Sequence, residues 1–282
     1  MGRDSRTVLT ERGRPADLTV AYGDGSEHIA DVRLPRPTGM VTRTTLVLFL
    51  HGGFWREEWD RAHTGPLATA LADLGLLVVT PEYRRVGAAG LAIGWPDLFD
   101  DVRSAVRILP SLVAARAGVD VGRVVLAGHS AGGHLAIWAA SSTDEATVSR
   151  SATVSGSVIG WPGYEVVALA PVADLREAYR LGLGDGAVAA LLGGGPDEVP
   201  DRYGAADPVA LVPIGCRITV VHGDRDVQVP VELSRRFVEA ARAVGGDVAP
   251  RYLPGIDHFQ VIDPLSPAWS DVRAAFIDER PR

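Results

Sequence analysis

Residues 123–141 read RVVLAGHSAGGHLAIWAAS. The first part is a continuous apolar run, as expected of a strand buried on both faces. The second part, from Ala131, is small and apolar and fits a helix leaving that strand. Between them sits Gly128-His129-Ser130-Ala131-Gly132, a G-x-S-x-G pattern. A serine on a sharp strand-to-helix turn is pushed into strained backbone geometry, and the residues two positions away must be small for the turn to close. Its Oγ then projects above the sheet at a helix N-terminus, where negative charge is favoured. Five residues alone are a weak signal. Their position between a strand and a helix is the context that gives them weight against an ordinary serine in a glycine-rich helix start.

Outward from this stretch the same alternation repeats. Residues 17–34 read as two strands around the turn Gly23-Asp24-Gly25-Ser26. Residues 44–50, 76–83, 166–171, 216–223 and 248–254 read as further strands, all but the last as buried apolar runs. Helices are expected over 60–74, 96–117 (with Pro110 as a point of kinking), 131–141, 231–245 and 263–278. Strands alternating with helices imply an α/β fold with a mostly parallel sheet covered on both faces. One interval breaks the pattern. Residues 172–213 are rich in Gly, Pro and Asp with two short apolar patches, and are expected to form a small cap inserted above the sheet.

Ligand sites in such sheets form at the carboxyl ends of the strands, so partners to Ser130 are expected there. A serine hydroxyl needs a base. Of seven histidines, His28 and His63 are expected at the surface, His129 and His134 as packing or hydrogen-bonding residues, and His222 as a buttress of its loop. His258 follows the 248–254 strand and is the candidate base; a solvated loop histidine beside Asp257 is the competing reading. The base needs an orienting carboxylate. Asp224 and Asp226 both follow the 216–223 strand. Asp226 is preferred because Asp226-x-x-Val229-Pro230 leads straight into the next helix, whereas Asp224 suits an Asx-type turn.

The strand at 44–50 ends in His51-Gly52-Gly53-Phe54-Trp55. Acyl transfer passes through a tetrahedral oxyanion that preorganised donors stabilise. Glycines let backbone N–H groups turn toward such a charge. Gly53, Phe54 and Ala131 are therefore the candidate oxyanion-hole residues, with His51 bracing the loop. Aromatics expected near the mouth are Phe54, Trp55, Trp59, Tyr83, Trp161 and Phe259, of which Trp55, Trp161 and Phe259 are assigned to substrate binding; Trp59 and Tyr83 read better as packing.

The bulk numbers narrow the classes. The chain has 282 residues, net charge −7, 46% hydrophobic and 22% charged residues, and all 28 basic residues are arginine. The acidic balance argues against nucleic acid and against an anionic membrane surface. One cysteine, Cys216, permits no intramolecular disulfide, and the polar N-terminal segment lacks the apolar core of a signal peptide, so a cytoplasmic location is expected. No H-E-x-x-H motif or Cys/His cluster is present, so no metal is expected.

Together these residues resemble the α/β-hydrolase fold from about residue 17 onward, as one domain over 1–282 with the insertion at 172–213. Within it, His51-Gly52-Gly53-Phe54-Trp55 with GHSAGGHLA (128–136) resembles the esterase/lipase group that includes the kynurenine formamidases (arylformamidases), whose motif is HGG-x-W. Hormone-sensitive-lipase-like esterases usually carry a third glycine where Phe54 stands. The resemblance implies a serine hydrolase without cofactor, with Ser130, Asp226 and His258 as triad. It implies a small-molecule substrate, an aryl formamide such as N-formylkynurenine or a short-chain ester, and leaves a homodimer open. A ligand-binding protein that keeps the fold without turnover is the reading from another class.

Overall fold

Alternate residues of each central strand are dealt to two separate cores. In β3 (Thr44–Leu50), Leu46, Leu48 and Leu50 enter one core while Val47 and Phe49 enter the other. In β5 (Val121–His129), Val124 and Leu126 face the first core, and Val125 and Ala127 the second. A period of two with both sides apolar is what a strand covered on both faces requires. Each such leucine taken out of water contributes about 1.5–3 kcal/mol. The structure is a computed structural model. It describes residues 3–36, 43–87, 94–142 and 164–277, with the backbone of 153–154 and 157–158.

The eight-stranded sheet adds β1 (Leu18–Ala21), β2 (Ile29–Arg33), β4 (Leu77–Pro81), β8 (Tyr164–Leu169), β9 (Ile218–Gly223) and β10 (Val248–Leu253). β6 (Thr153–Val154) and β7 (Ser157–Val158) pair with each other outside it. The order is β1-β2-β4-β3-β5-β8-β9-β10; β2 runs antiparallel to both its neighbours, β1 and β4, and every other pair is parallel. From β3 the chain crosses to β4 on one side and later to β5 on the other. The sheet thus reverses direction at the β3–β5 pair, the place where open α/β sheets leave a crevice at their carboxyl ends.

Helices α2 (Asp97–Ala117) and α3 (Ala131–Ser141) cover the first core, together with the helix at Val231–Ala243. Helices α1 (Gly65–Asp73) and the one at Trp269–Ile277 cover the second. Every residue of α3 from Ala131 to Ala140 is buried, which explains why this helix has no polar face. α2 passes through Pro110 and stops at Gly118, whose left-handed backbone (φ 64°) closes the helix end.

Residues 172–213 carry three short helices, α4 (Leu175–Arg180), α5 (Leu183–Leu192) and α6 (Pro200–Ala206). α5 is kinked, with left-handed backbone at Gly184, Asp185 and Gly186. Leu175, Val188, Leu191, Leu192 and Tyr203 join the first core. The segment is pinned by α3: His134 Nε2 donates to the Ala206 carbonyl at 2.9 Å and Trp138 Nε1 to that of Ala205 at 3.0 Å. The later helices are α7 (Val231–Ala243) and α8 (Trp269–Ile277).

Two helix boundaries differ from expectation. The helix expected from 263 begins at Trp269, because Pro264 and Pro267 disfavour helical backbone at the residues before them. The helix expected over 60–74 splits into a 3-10 turn at Arg61–Thr64, capped by the Asp60 carboxylate on the Ala62 N–H at 2.8 Å, and α1 proper.

α3 packs very closely against the end of β3. A Cβ on Gly132 would lie 2.0 Å from the Leu50 carbonyl oxygen and 2.5 Å from that of His51. Gly132→Ala is therefore expected to destabilise the protein by about 3 kcal/mol, the upper end of the ~1–3 kcal/mol usual for core overpacking, because the clash is with backbone. Urea unfolding should show it as a lowered midpoint at unchanged slope.

Candidate active site

Ser130 sits at the junction of β5 and α3 with φ 57° and ψ −118°, and is 2% exposed. Holding a non-glycine residue there costs on the order of 1–3 kcal/mol. The neighbouring backbone imposes it. The Ser130 N–H donates to the Leu169 carbonyl at 2.8 Å, and the Ser130 carbonyl accepts from His134 at 3.1 Å and Val172 at 3.2 Å. A Cβ on Gly128 would fall 2.2 Å from the Gly132 oxygen. This is the close approach that the G-x-S-x-G spacing anticipates.

The loops after β9 and β10 bring a carboxylate and an imidazole together. His258 Nδ1 donates to Asp226 Oδ2 at 2.6 Å, and both side chains are buried. The donated Nδ1–H leaves His258 Nε2 as an acceptor. Asp226 is itself clamped: Oδ1 accepts from the N–H groups of Gln228 (2.9 Å) and Val229 (2.8 Å). His222 Nε2 lies 3.1 Å from Asp226 Oδ2 and 2.9 Å from the Val229 carbonyl, so it carries the proton. His222 Nδ1 then accepts from the Ser234 hydroxyl at 2.7 Å. Burial alone would raise the Asp226 carboxyl, but the bonds from His222 and His258 outweigh it and hold it far below the usual carboxylate range. Asp224 has a different task, its Oδ1 accepting from the Gly255 N–H at 2.7 Å and so tying the two loops together.

His129, between the elbow glycine and the serine, donates from Nε2 to the His258 carbonyl at 2.9 Å. Its ring is buried, and burial followed by the nearby His258 pushes it well below its ordinary value, so it stays neutral. It fixes the height of the His258 loop over Ser130. Ser130 and His258 face the same cleft, of about 100 Å³, which Gly53, Phe54, Trp59, His63, His129, Gln228, Phe259 and Leu9 also line. No hydrogen bond joins Ser130 to His258 here; such contacts are often long in free enzymes and shorten with substrate.

The third part of the site is the loop after β3. Gly53, Phe54 and Trp55 have consecutive positive φ values of 108°, 50° and 60°. For the two non-glycine residues this conformation costs roughly 1–2 kcal/mol each. Arg56 N–H to the Gly53 carbonyl (3.0 Å) and Val86 N–H to the Trp55 carbonyl (2.8 Å) close the turn. The Arg56 guanidinium donates to the carbonyls of Gly184 and, at 3.2 Å, Asp185, joining the loop to the kink of α5. The backbone N–H groups of Gly53, Phe54 and Ala131 have no partner among the described residues.

Beneath the loop, the His51 ring stacks on Tyr83 at 4.3 Å, and the Tyr83 hydroxyl donates to the His51 carbonyl at 2.7 Å. His51 Nε2 donates to Glu82 Oε1 at 2.7 Å, while its Nδ1 lies 2.9 Å from the Gly52 carbonyl. Glu82 is buried, which would raise it, yet the His51 bond and Arg85 hold its carboxyl down at about 2.

Several expectations are corrected here. Trp55 does not face the cleft: it is completely buried, edge-on to His134 at 5.2 Å, because the left-handed turn sends Phe54 outward and Trp55 into the core. Trp161 lies outside the described residues. His63 is not a surface residue. It is buried in the cleft wall beside Trp59 (5.5 Å between rings), and burial lowers it to about 4. His28 is partly buried and bonds Asp101 at 2.9 Å. Trp59, read as packing, lines the cleft and is 37% exposed; Tyr83 packs as expected. Leu9 and Gln228 were not anticipated, and neither has a motif around it by which it could have been found.

Among the described residues no group of three or more His, Cys, Asp or Glu side chains is placed to hold a metal ion, and no helix is long and apolar enough to cross a membrane.

The BD-FAE family model matches residues 31–241. The chain belongs to the BD-FAE family. This BD-FAE member is 29% identical to Esterase LipC of Mycobacterium tuberculosis over 260 residues, covering 86% of this chain and 60% of the relative. It is 25% identical to Esterase LipQ of the same organism, covering 85% and 56%. The chain thus spans little more than half the length of those relatives. Kynurenine formamidase of Salmo salar is 26% identical over 266 residues, covering 91% of this chain and 80% of the relative. Among solved structures, a truncated carbohydrate esterase from gut microbiota superposes with TM-score 0.75 at 21% identity, covering 94% of this chain and 98% of the other. Esterase B from Lactobacillus Rhamnosis does so with TM-score 0.74 at 19% identity, covering 97% and 88%. These two are likenesses of fold, and the fold is that of the α/β-hydrolases.

Buried neutral histidines give the protein a stability that depends on pH. His63 and His134 are both lowered by burial to about 4, below the ~6.5 of an unfolded histidine. The unfolded chain binds more protons between those limits, so this stability is fully present above pH 6.5 and is lost as pH falls toward 4. Each should add about 1.4 kcal/mol per pH unit to the slope within that window. Urea unfolding at stepped pH should show the decline, and His134→Gln, which keeps a donor toward Ala206, should remove about one such increment.

Proposed function

We propose that this chain is a serine hydrolase that transfers a short acyl group to water through Ser130, Asp226 and His258, and that an aryl formamide such as N-formylkynurenine is its substrate. The observation that carries the reading is the convergence on one cleft of three things. These are a strained serine, followed directly by the partnerless Ala131 N–H, an imidazole whose Nδ1 is held by a buried carboxylate, and the loop of Gly53 and Phe54, whose N–H groups are also partnerless among the described residues.

In the proposed reaction Ser130 Oγ attacks the substrate carbonyl as His258 Nε2 takes its proton. The carbonyl oxygen becomes an oxyanion held by the three N–H groups, each such donor being worth about 2.7–4 kcal/mol in the transition state. Asp226, kept ionised, stabilises the imidazolium. His258 then passes its proton to the departing amine or alcohol as the C–N or C–O bond breaks. A water molecule, losing a proton to His258, attacks the acyl-enzyme. The second intermediate collapses to free acid and the restored serine.

Two observations support the aryl formamide in particular. The cleft is small, about 100 Å³, which suits a formyl group, and Phe54, Trp59 and Phe259 line it. The kynurenine formamidase of Salmo salar is matched over four-fifths of its own length, more than the mycobacterial esterases are. The second reading, a carboxylesterase for short-chain acyl esters, draws on those esterases, to which the identity is as high.

Hydrolysis of N-formylkynurenine and 4-nitrophenyl acetate by one preparation tests both levels. Ser130→Ala is expected to abolish turnover, and Asp226→Asn to lower kcat by about 10⁴-fold. A kcat/KM ratio favouring the formamide by about two orders of magnitude, roughly 2.7 kcal/mol, would support the finer reading. Cleavage of the ester alone would replace it with the carboxylesterase. Turnover that survives in Ser130→Ala would sink the mechanism.

A further inference from the structure

One wall of the cleft comes from neither the strand-end loops nor residues 172–213. Leu9, half-buried, lines it from the far end of the chain. It closes a 3-10 turn, Ser5–Leu9, begun by the Asp4 carboxylate on the Arg6 N–H at 2.9 Å. The turn is seated at several independent points. Val8 is completely buried in the second core with residues of α1 and α8. Arg3 Nε pairs with the buried carboxylate of Asp263 at 3.1 Å. The Arg6 guanidinium lies over the Phe259 ring, 5.7 Å from its centre. The turn also packs on the Arg61–Thr64 turn that holds His63.

Asp263 and Phe259 both belong to the segment that carries His258, and the Phe259 ring stands edge-on to the His258 ring at 5.1 Å. The N-terminal turn is thus built onto the His258 side of the cleft. That side has a defined role in the reaction proposed above. His258 Nε2 must hand its proton to the leaving atom, so the leaving group has to lie beside His258. Two of the three proposed oxyanion N–H groups, those of Gly53 and Phe54, come from the opposite loop.

We propose that Leu9 and Phe259 form the apolar pocket for the leaving group, so that the N-terminal turn sets which alcohol or amine the enzyme accepts. This rests on the hydrolase reading and adds to it a specificity residue outside the sheet, the loops and the insertion. Leu9 and Phe259 supply apolar walls, so the portion of the leaving alcohol or amine that lies against them is an alkyl or aryl group.

The test uses the full chain with Leu9→Ala and Leu9→Trp, rates being taken per serine titrated by a fluorophosphonate, so that unfolded protein is not counted. One substrate series fixes the acetyl group and varies the alcohol: methyl, butyl and benzyl acetate. The other fixes the leaving group and varies the acyl chain: 4-nitrophenyl acetate, butyrate and hexanoate. Leu9→Ala is expected to raise kcat/KM for benzyl over methyl acetate by about fivefold or more, the scale at which one apolar pocket contact discriminates. Leu9→Trp should lower that ratio, and in both variants the acyl-series ratios should stay within about twofold of wild type. If neither variant moves the alcohol series, or if the acyl series moves instead, the assignment of Leu9 is overturned while the hydrolase reading stands. If the wild type neither reacts with the fluorophosphonate nor cleaves any ester, both fall.

Discussion

The close approach of α3 to the end of β3 is the constraint on which the rest of the site depends. Gly132 lies so near the Leu50 and His51 carbonyls that not even a methyl group fits between them. That contact presses the serine turn against the loop after β3, so that Ser130, Gly53 and Phe54 line one cleft. It occurs at the β3–β5 pair, where the sheet reverses its winding and leaves a crevice at the strand ends. The serine turn and the His51–Trp55 loop, at the ends of adjacent parallel strands, therefore meet without any dedicated linker.

Strain is concentrated there and held from several directions. Ser130, Phe54 and Trp55 all have left-handed backbone, as does Ala170 just after β8. None would persist in an isolated peptide. Each is held by its surroundings: Ser130 by bonds to Leu169 and Val172, Phe54 and Trp55 by the burial of the indole and the bond from Val86. The histidines are the other holding device. His222 fixes Asp226, Asp226 fixes His258, and His129 fixes the backbone of His258, so that three imidazoles and one carboxylate form a continuous set of bonds. His51 and Glu82 do the same for the opposite loop.

What each histidine does could be read only in part from its position in the chain. His258 and His222 lie at strand ends, where the parallel topology gathers chemistry, and their neighbourhood was legible from the order of strands. His63 lies on a turn between elements, with no periodic signal to say which way it faces. It lines the cleft because the 61–64 turn is folded back under Trp59. Trp55 shows the opposite error. A tryptophan beside two glycines resembles a substrate platform, but consecutive positive φ values turn the ring inward, and backbone conformation of that kind is not encoded by residue type alone.

The sequence by itself determined the sheet, the two cores, the serine turn and the identity of the acid and base candidates. Those follow from local rules: a period of two in buried strands, glycines where a turn must close, and catalytic residue types at strand ends. Tertiary structure decided the cleft's walls. Leu9, the Trp59–His63 stretch and Gln228 come from three separate segments, brought together only when the chain folds. The N-terminal turn shows this most plainly. Its Val8 is buried under α1 and α8, and its Arg3 and Arg6 are set on the His258 segment. No pattern within residues 3–11 announces partners more than two hundred residues away, because side-chain packing between distant segments has no period to read.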